Sequence, residues 1–242
     1  MSTNEDSNAP LVSVITSTYN RAELLRRAVQ SVLLQSFSNW EHIIVGDCTP
    51  DHSADVVESF KDARLRFVNL SDKSPPRSHG AIVKNYGIRQ MARSEYIAYL
   101  DDDDCYHPDF LQVMMDHMTR RPDLEVAYCR SAYKDKTTGR RLWGNPFQRW
   151  LHGYSKEKLK RYNFLNTNCV VHKKSLLEVV GYWNPAYFFD DYELWLRMSE
   201  RCDFSYVNSV LADTYVDEPA FIVRAFSKGW AILTKGRRTP VE

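Results

Sequence analysis

Residues Tyr96-Ile97-Ala98-Tyr99-Leu100 run without a break into Asp101-Asp102-Asp103-Asp104. Five β-favouring or apolar residues are long enough for a buried strand, so the strand must end in four consecutive carboxylates. Like charges crowded at the mouth of a buried strand repel one another and need a cation or strong donors to offset them. Magnesium or manganese is the simplest such cation. Both take hard oxygen ligands, typically one or two carboxylates together with the oxygens of a bound phosphate or diphosphate. The plainer alternative is an acidic turn that caps a helix beginning at Pro108.

A chain of 242 residues can bury one sizeable core, and a single α/β domain is expected. Its 32 basic and 31 acidic residues leave a formal charge of +1, so no global field points to nucleic acid or to a strongly anionic membrane. Residues 1–10 are polar, read as a disordered leader without the apolar core of a signal peptide. No run of 18 apolar residues follows, so no transmembrane segment is expected. Cys48, Cys105, Cys129, Cys169 and Cys202 are odd in number and widely spaced, which suits buried thiols in a reducing cytoplasm and no zinc site.

Leu11 to Ile15 forms the first predicted strand. Asn20, with Glu23 three residues on, is placed to cap a helix whose apolar positions Leu24, Leu25, Ala28, Val29, Val32 and Leu33 recur at helical spacing. Further strands are predicted over 40–45, 64–70 and 96–100, with helices over 51–60 and 80–92 between them. Strand and helix alternate, which argues for a mostly parallel sheet flanked by helices, with ligands bound at the carboxyl ends of the strands. Polar groups fall at three of those ends: Thr18, Asn20 and Arg21 after the first strand, Asp47 after the second, and the tetrad after the fourth. That constellation suits a nucleoside diphosphate, with one carboxylate for base or ribose and others for a metal on the phosphates. There is no GxGxxG and no GxxxxGK[ST], which disfavours dinucleotide and P-loop readings.

In series, VSVITSTYNR (12–21), IIVGDCT (43–49), Lys84-Asn85-Tyr86-Gly87, YIAYLDDDD (96–104) and DDYELWLR (190–197) resemble the successive motifs of family 2 glycosyltransferases. The resemblance covers roughly residues 11–200 and implies a GT-A type fold: a Rossmann-like, mostly parallel α/β sheet with a small antiparallel acceptor-side portion. It divides the chain into a catalytic domain over 11–215, with a nucleotide-binding half (11–105) and an acceptor-binding half (106–215), and a C-terminal tail over 216–242. It also implies an inverting transfer from a nucleotide sugar, assisted by Mn2+ or Mg2+. By that resemblance, Thr18 and Tyr19 line the base pocket with Asn20 and Arg21 nearby, and Asp47 hydrogen-bonds the base, usually uracil. Lys84 and Asn85 lie beside the nucleotide; Lys84 stands where many relatives carry Arg, and a lysine is a point charge where an arginine is a fork. Asp103 is the expected metal ligand, and Asp101 faces ribose or metal-bound water. Asp102 stands where relatives often have a small residue, which leaves its role open. Asp104 is assigned to capping the next turn. In the family's acidic pair the second residue is the base, hence Asp191, while Asp190 orients the acceptor or the helix.

Beyond the tetrad, Glu125 to Trp143 alternates around Thr137-Thr138-Gly139 as a hairpin would. The stretch from Trp143 to Tyr154, including Trp150, is aromatic and basic; it reads as a loop over the acceptor or as a patch that pins a loop to the core. Thr167, Asn168 and Cys169 are expected to open a strand that brings Asn168 to the acceptor side. After Tyr215-Val216-Asp217-Glu218, where relatives often carry a further metal-binding His, residues 220–238 have the spacing of a cationic amphipathic helix. It either packs on the domain or meets a membrane interface. The acceptor is expected to be a glycan, a lipid-linked sugar or a small molecule, and the oligomeric state is left open. A nucleotidyltransferase and a catalytically silent sugar- or nucleotide-binding protein of the same fold remain as alternatives.

Overall fold

The computed structural model describes residues 9–76, 78, 80–142 and 153–217. Three strands, β1 (Val12–Thr18), β2 (Trp40–Gly46) and β3 (Leu65–Asn69), run parallel, and β4 (Tyr96–Tyr99) joins β1 on its other side, also parallel. Apart from Ser17, every residue of β1, β2 and β4 is buried, as expected of central strands covered on both faces. Alternation sorts their side chains. Ile97 and Tyr99 enter one core cluster with Ile15, Ile43 and Val45, whereas Tyr96 and Ala98 enter another with Val12, Val14 and Trp40.

The connections are α1 (Ala22–Leu33), α2 (Ser53–Glu58) and α3 (Ala81–Tyr86). The start of α1 differs from the expected local cap. Asn20 sits in the left-handed region at φ 54°, its N–H donates to Thr49 Oγ1 at 2.8 Å, and the first helical N–H, that of Ala22, is taken by Asp51 Oδ2 at 2.9 Å. A carboxylate from the neighbouring strand end does the work assigned to Asn20, while Glu23 turns outward to His52. The helix expected over 80–92 is also altered: after α3 the chain widens into a π turn over Gly87–Met91, with Ala92 N–H donating to Gly87 C=O at 3.0 Å. Gly87 permits this approach, since a Cβ there would stand 3.2 Å from Val45 Cγ2.

The second half is mixed. After β5 (Cys105–Tyr106) and α4 (Phe110–Thr119) come β6 (Val126–Asp135), α5 (Lys156–Arg161), β7 (Val170–Lys173), α6 (Lys174–Val180), α7 (Asp190–Arg201) and β8 (Phe204–Val216). The eight strands form one sheet in the order β3-β2-β1-β4-β7-β6-β8-β5. β7 is antiparallel to both β4 and β6, and β8 is parallel to β6 and antiparallel to β5. The fold class read from the sequence, a mostly parallel sheet with an antiparallel portion flanked by helices, is the one observed.

Three local expectations meet different outcomes. The turn after β6 reverses the chain as predicted, with Asp135 Oδ1 accepting from Thr137 and Thr138 N–H and Leu142 N–H reaching Tyr133 C=O. Thr167–Cys169, expected to open a strand, instead forms a single 3-10 turn, because the Asn166 side chain captures the Asn168 N–H at 2.9 Å; β7 begins at Val170. The 13-residue strand β8 has no counterpart among the predicted elements. Trp150, most of the aromatic stretch around it, the leader up to residue 8 and the predicted C-terminal helix lie outside the described residues. Tyr154, at the end of that stretch, stacks on Phe204 with ring centroids 5.0 Å apart.

Candidate active site

Because β1, β2 and β4 are parallel neighbours, the segments that leave their carboxyl ends converge. They enclose a cavity of about 370 Å3, to which β1 contributes Thr18, Tyr19 and Arg21, β2 contributes Asp47, and β4 contributes Asp101, Asp102 and Asp103. The start of α3 closes it with Gly80 and Lys84. Gly80 has φ 83°, and a Cβ there would come within 2.9 Å of Ser17 Oγ, so only glycine lets α3 start this close to β1. Eight of the residues singled out from the sequence thus share one space.

At one end Asp47 accepts from Lys73 Nζ at 2.7 Å and from Ser74 N–H at 2.8 Å. Burial opposes its charge, yet these donors hold the carboxyl below its ordinary range. The same Lys73 ammonium lies 3.1 Å from the centroid of the Tyr19 ring, which is 45% exposed. Lys73 carries no sequence signal; its place follows only from the fold.

The acidic loop has too few donors for its charge. Arg21 Nη1 lies 2.9 Å from Asp102 and 3.2 Å from Asp103, and Arg27 donates to the Asp103 carbonyl. Burial nonetheless pushes the Asp102 carboxyl up to about 6, and burial together with Asp101 raises Asp103. Asp104, 3% exposed, is driven well above the ordinary range by burial and by its neighbours Asp101 and Asp103. It does not cap a turn. One oxygen accepts from Tyr215 N–H in β8 at 2.7 Å and the other from the Asn168 amide. Asn168, expected on the acceptor side, is 1% exposed, and its Oδ1 accepts from Asp101 N–H at 2.7 Å; it holds both ends of the tetrad. Arg27 further stacks on the Tyr215 ring at 3.7 Å.

This donor set fits a divalent cation. The acidic loop brings three hard oxygen ligands to the cavity, Asp101, Asp102 and Asp103, and the raised proton affinity of Asp102 and Asp103 is what crowded carboxylates show when their charge is incompletely offset. Among the described residues no three His, Cys, Asp or Glu side chains are grouped so as to hold a metal ion by themselves. One or two carboxylates completed by phosphate oxygens is the usual arrangement for magnesium.

On the far side of Lys84, the first turn of α7 carries Asp190 and Asp191, where carboxylates complement the helix dipole. Their side chains diverge. Asp191 Oδ2 accepts from Asn163 Nδ2 at 3.1 Å and Thr167 Oγ1 at 3.4 Å. Asp190 is buried against Lys84; burial raises its carboxyl to about 7 despite the lysine's attraction. Lys84 itself is buried, with its ammonium 4.5 Å from the Trp183 ring centroid. Asn85 does not reach the cavity. Its amide grips the Trp183 backbone, donating to the carbonyl at 2.8 Å and accepting from the N–H at 3.0 Å, so it positions the floor under Lys84.

A parallel half-sheet with an acidic loop at its carboxyl edge, extended by a mixed half that brings in a carboxylate-bearing helix end, defines a GT-A type α/β architecture. The glycosyl transferase family 2 model matches residues 13–180, and the chain belongs to that family. TuaG of Bacillus subtilis (strain 168), named provisionally as a teichuronic acid biosynthesis glycosyltransferase, is 38% identical over 145 residues, which is 59% of this chain and 53% of that protein. Among solved structures, a mannosyltransferase from Pyrobaculum calidifontis in complex with GDP-Man and Mn2+ superposes with a TM-score of 0.71 at 17% identity, covering 97% of this chain and 67% of the other. Staphylococcus aureus TarS 1-349 in complex with UDP-GlcNAc gives 0.68 at 17% identity, covering 86% and 59%. The chain spans about half the length of curated relatives such as TuaG and the B. subtilis protein CgeD. Among the described residues no helix is long and apolar enough to cross a membrane.

Proposed function

We propose that this protein transfers a sugar, with inversion, from a nucleoside diphosphate sugar to a hydroxyl acceptor, with UDP the carrier nucleotide and Mn2+ or Mg2+ the assisting ion. The observation that carries the proposal is the convergence of Asp47, Lys84 and the acidic loop on one cavity beside the Asp190-Asp191 helix end. Tyr19 and Asp47 receive the base, Asp47 accepting from its N–H groups once Lys73 is displaced. Arg21 and Lys84 supply positive charge along the diphosphate. Asp103 would hold the metal, with Asp101 toward ribose or metal-bound water; when bound, the ion would supply charge to neutralise the departing diphosphate. Asp191 accepts the acceptor's hydroxyl proton as that oxygen bonds to the anomeric carbon and the bond from this carbon to the diphosphate oxygen breaks. Asn163 and Thr167 hold its carboxylate in place. Asn20, Asn85 and Asn168 act indirectly, by fixing loops.

The acceptor is a hydroxyl-bearing glycan, lipid-linked sugar or small molecule. The unpaired cysteines suit a cytoplasmic setting. The test is hydrolysis of UDP-sugars with and without Mn2+, together with thermal shifts by UDP and GDP. UDP at one hundred times its dissociation constant is expected to stabilise by about 2.7 kcal/mol, only when metal is present. Metal-dependent release of UDP supports the enzyme; binding without any turnover, even with acceptors supplied, favours a silent binding protein.

A further inference from the structure

Lys84 is 7% exposed and lines the cavity, yet among the described residues its ammonium makes no ion pair and no hydrogen bond. Asp190 attracts it without closing on it, and Asp190 Oδ1 already accepts from Asp191 N–H at 2.9 Å. What Lys84 meets is the face of Trp183, at 4.5 Å from the ring centroid. That indole is 2% exposed and fixed from several sides. Asn85, the residue after Lys84 on α3, holds its backbone through both amide groups. Tyr99 and Trp195 stand edge-on to it, with centroids 5.0 Å and 5.7 Å away. Its Nε1–H donates to Tyr99 Oη at 3.0 Å.

The hydrogen bonds behind Trp183 run in one direction. The Lys173 carbonyl can only accept, so His172 Nδ1 carries the proton that meets it at 2.8 Å. Burial lowers the imidazole to about 4 and keeps it neutral, so Nε2 accepts from the Tyr99 hydroxyl at 2.8 Å. The Tyr99 oxygen is then left to accept from the indole. The ring is thus tied through β4 to β7, while Lys84 and Asn85 tie it to α3.

An aromatic face attracts an ammonium without cancelling its charge, whereas a carboxylate would neutralise it. A lysine is a point charge on a flexible stem, and a ligand that meets it bears the cost of ordering that stem unless the protein has ordered it beforehand. Resting on the reading of Lys84 as a contact of the diphosphate, we infer that Trp183 is the positioning residue for that contact: its ring face holds the Lys84 ammonium in place, with its charge still available, before the nucleotide enters. Tyr99 and His172 act through Trp183, by fixing the plane of its ring.

The experiment is calorimetric titration of UDP, with Mn2+ present, into the full chain and into Lys84→Met, Trp183→Phe, Trp183→Leu and the double variant Lys84→Met/Trp183→Leu. Trp183→Leu is expected to weaken UDP binding by about fivefold to thirtyfold, and Trp183→Phe, which keeps a ring, by less. In the Lys84→Met background the same Trp183→Leu change is expected to cost no more than about twofold, whereas a merely structural role would cost as much in both backgrounds. A second arm replaces the tryptophans by fluorotryptophans bearing successively more fluorine, which keeps the shape of the ring and drains charge from its face. UDP affinity is expected to fall with each added fluorine in the parent and to stay level in Lys84→Met. This arm removes no core side chain, so it stands even if Trp183→Leu folds poorly. UDP affinity unchanged by fluorination, equal losses in the two backgrounds, or Trp183→Phe as weak as Trp183→Leu would overturn the inference. A parent that does not bind UDP, or Lys84→Met binding it as tightly as the parent, would instead remove the diphosphate reading on which the inference rests.

Discussion

Replacing Asn168 by alanine tests whether the acidic loop is held as described. The side chain has two bonds to lose: Asp101 N–H donates to its Oδ1 at 2.7 Å, and its amide donates to the buried Asp104 carboxylate. Its own backbone N–H, bound to Asn166, is untouched. Leaving a buried polar group unsatisfied costs about 1–3 kcal/mol, more for a charged one, so two such groups set a range of about 2–6 kcal/mol. Asp101 is only half-buried and water can reach it, which favours the lower part, about 3 kcal/mol. For a domain of this size that corresponds to a melting temperature lower by roughly 6–12 °C. Urea unfolding followed by tryptophan fluorescence is to show the midpoint falling with an unchanged slope, since little new surface is exposed. The Mn2+-dependent tightening of UDP is expected to weaken in parallel as the loop loosens. A variant that melts within 2 °C of the parent, or so, would refute the reasoning: the loop would then be held by Arg21, Arg27 and Tyr215 alone.

Other substitutions separate the remaining roles. Asp103→Asn is expected to keep the fold and lose nearly all transfer along with the manganese-dependent gain in UDP affinity, as titration with and without metal will show. Asp191→Asn is expected to lower turnover by about 10²-fold or more with little change in donor affinity; equal loss on Asp190→Asn alone would move the base to its neighbour. Stability should also depend on pH through Asp190. Its carboxyl is raised from 3.8 to about 7 by burial, so the folded state holds that proton more tightly than the unfolded chain. The associated stability is full below about pH 4 and lost as pH rises towards 7. Asp190→Asn should flatten that decline and be more stable than the parent at pH 8 by roughly 1–4 kcal/mol, measured as the difference between urea midpoints at pH 5 and pH 8.

The parallel half was legible because its signals are local. The buried strand Tyr96–Tyr99 reads as an unbroken apolar run, and α1 shows its helical period plainly. The cavity followed from topology, since polar residues after parallel strands must meet. What escaped was long-range. The partner of the Ala22 N–H is Asp51, 29 residues away, so a rule written in offsets of three chose Asn20 and Glu23. Asn85 and Asn168 sit among motif residues and read in sequence as ligand contacts, whereas both spend their amides on the protein's own backbone and side chains. β8 shifts register against Arg130 and Ser131 of β6, which breaks the alternation of its buried positions, so a search for period two passes over it.

The bond from Tyr215 N–H to Asp104 spans 111 residues of chain. During synthesis the four parallel strands can leave the ribosome and pair while the acidic loop between Asp101 and Asp104 still lacks its last donor. At about 5–20 residues per second the wait is several seconds to some twenty seconds. At first the nascent protein carries four neighbouring aspartates with Arg21 and Arg27 to offset them; Asn168 follows 64 residues after Asp104, and β8 comes last. Assembly of the loop is therefore a late, non-local step, of the kind that slows folding. A chain stopped before residue 204 would hold the nucleotide half of the sheet with its acidic loop short of the Tyr215 donor.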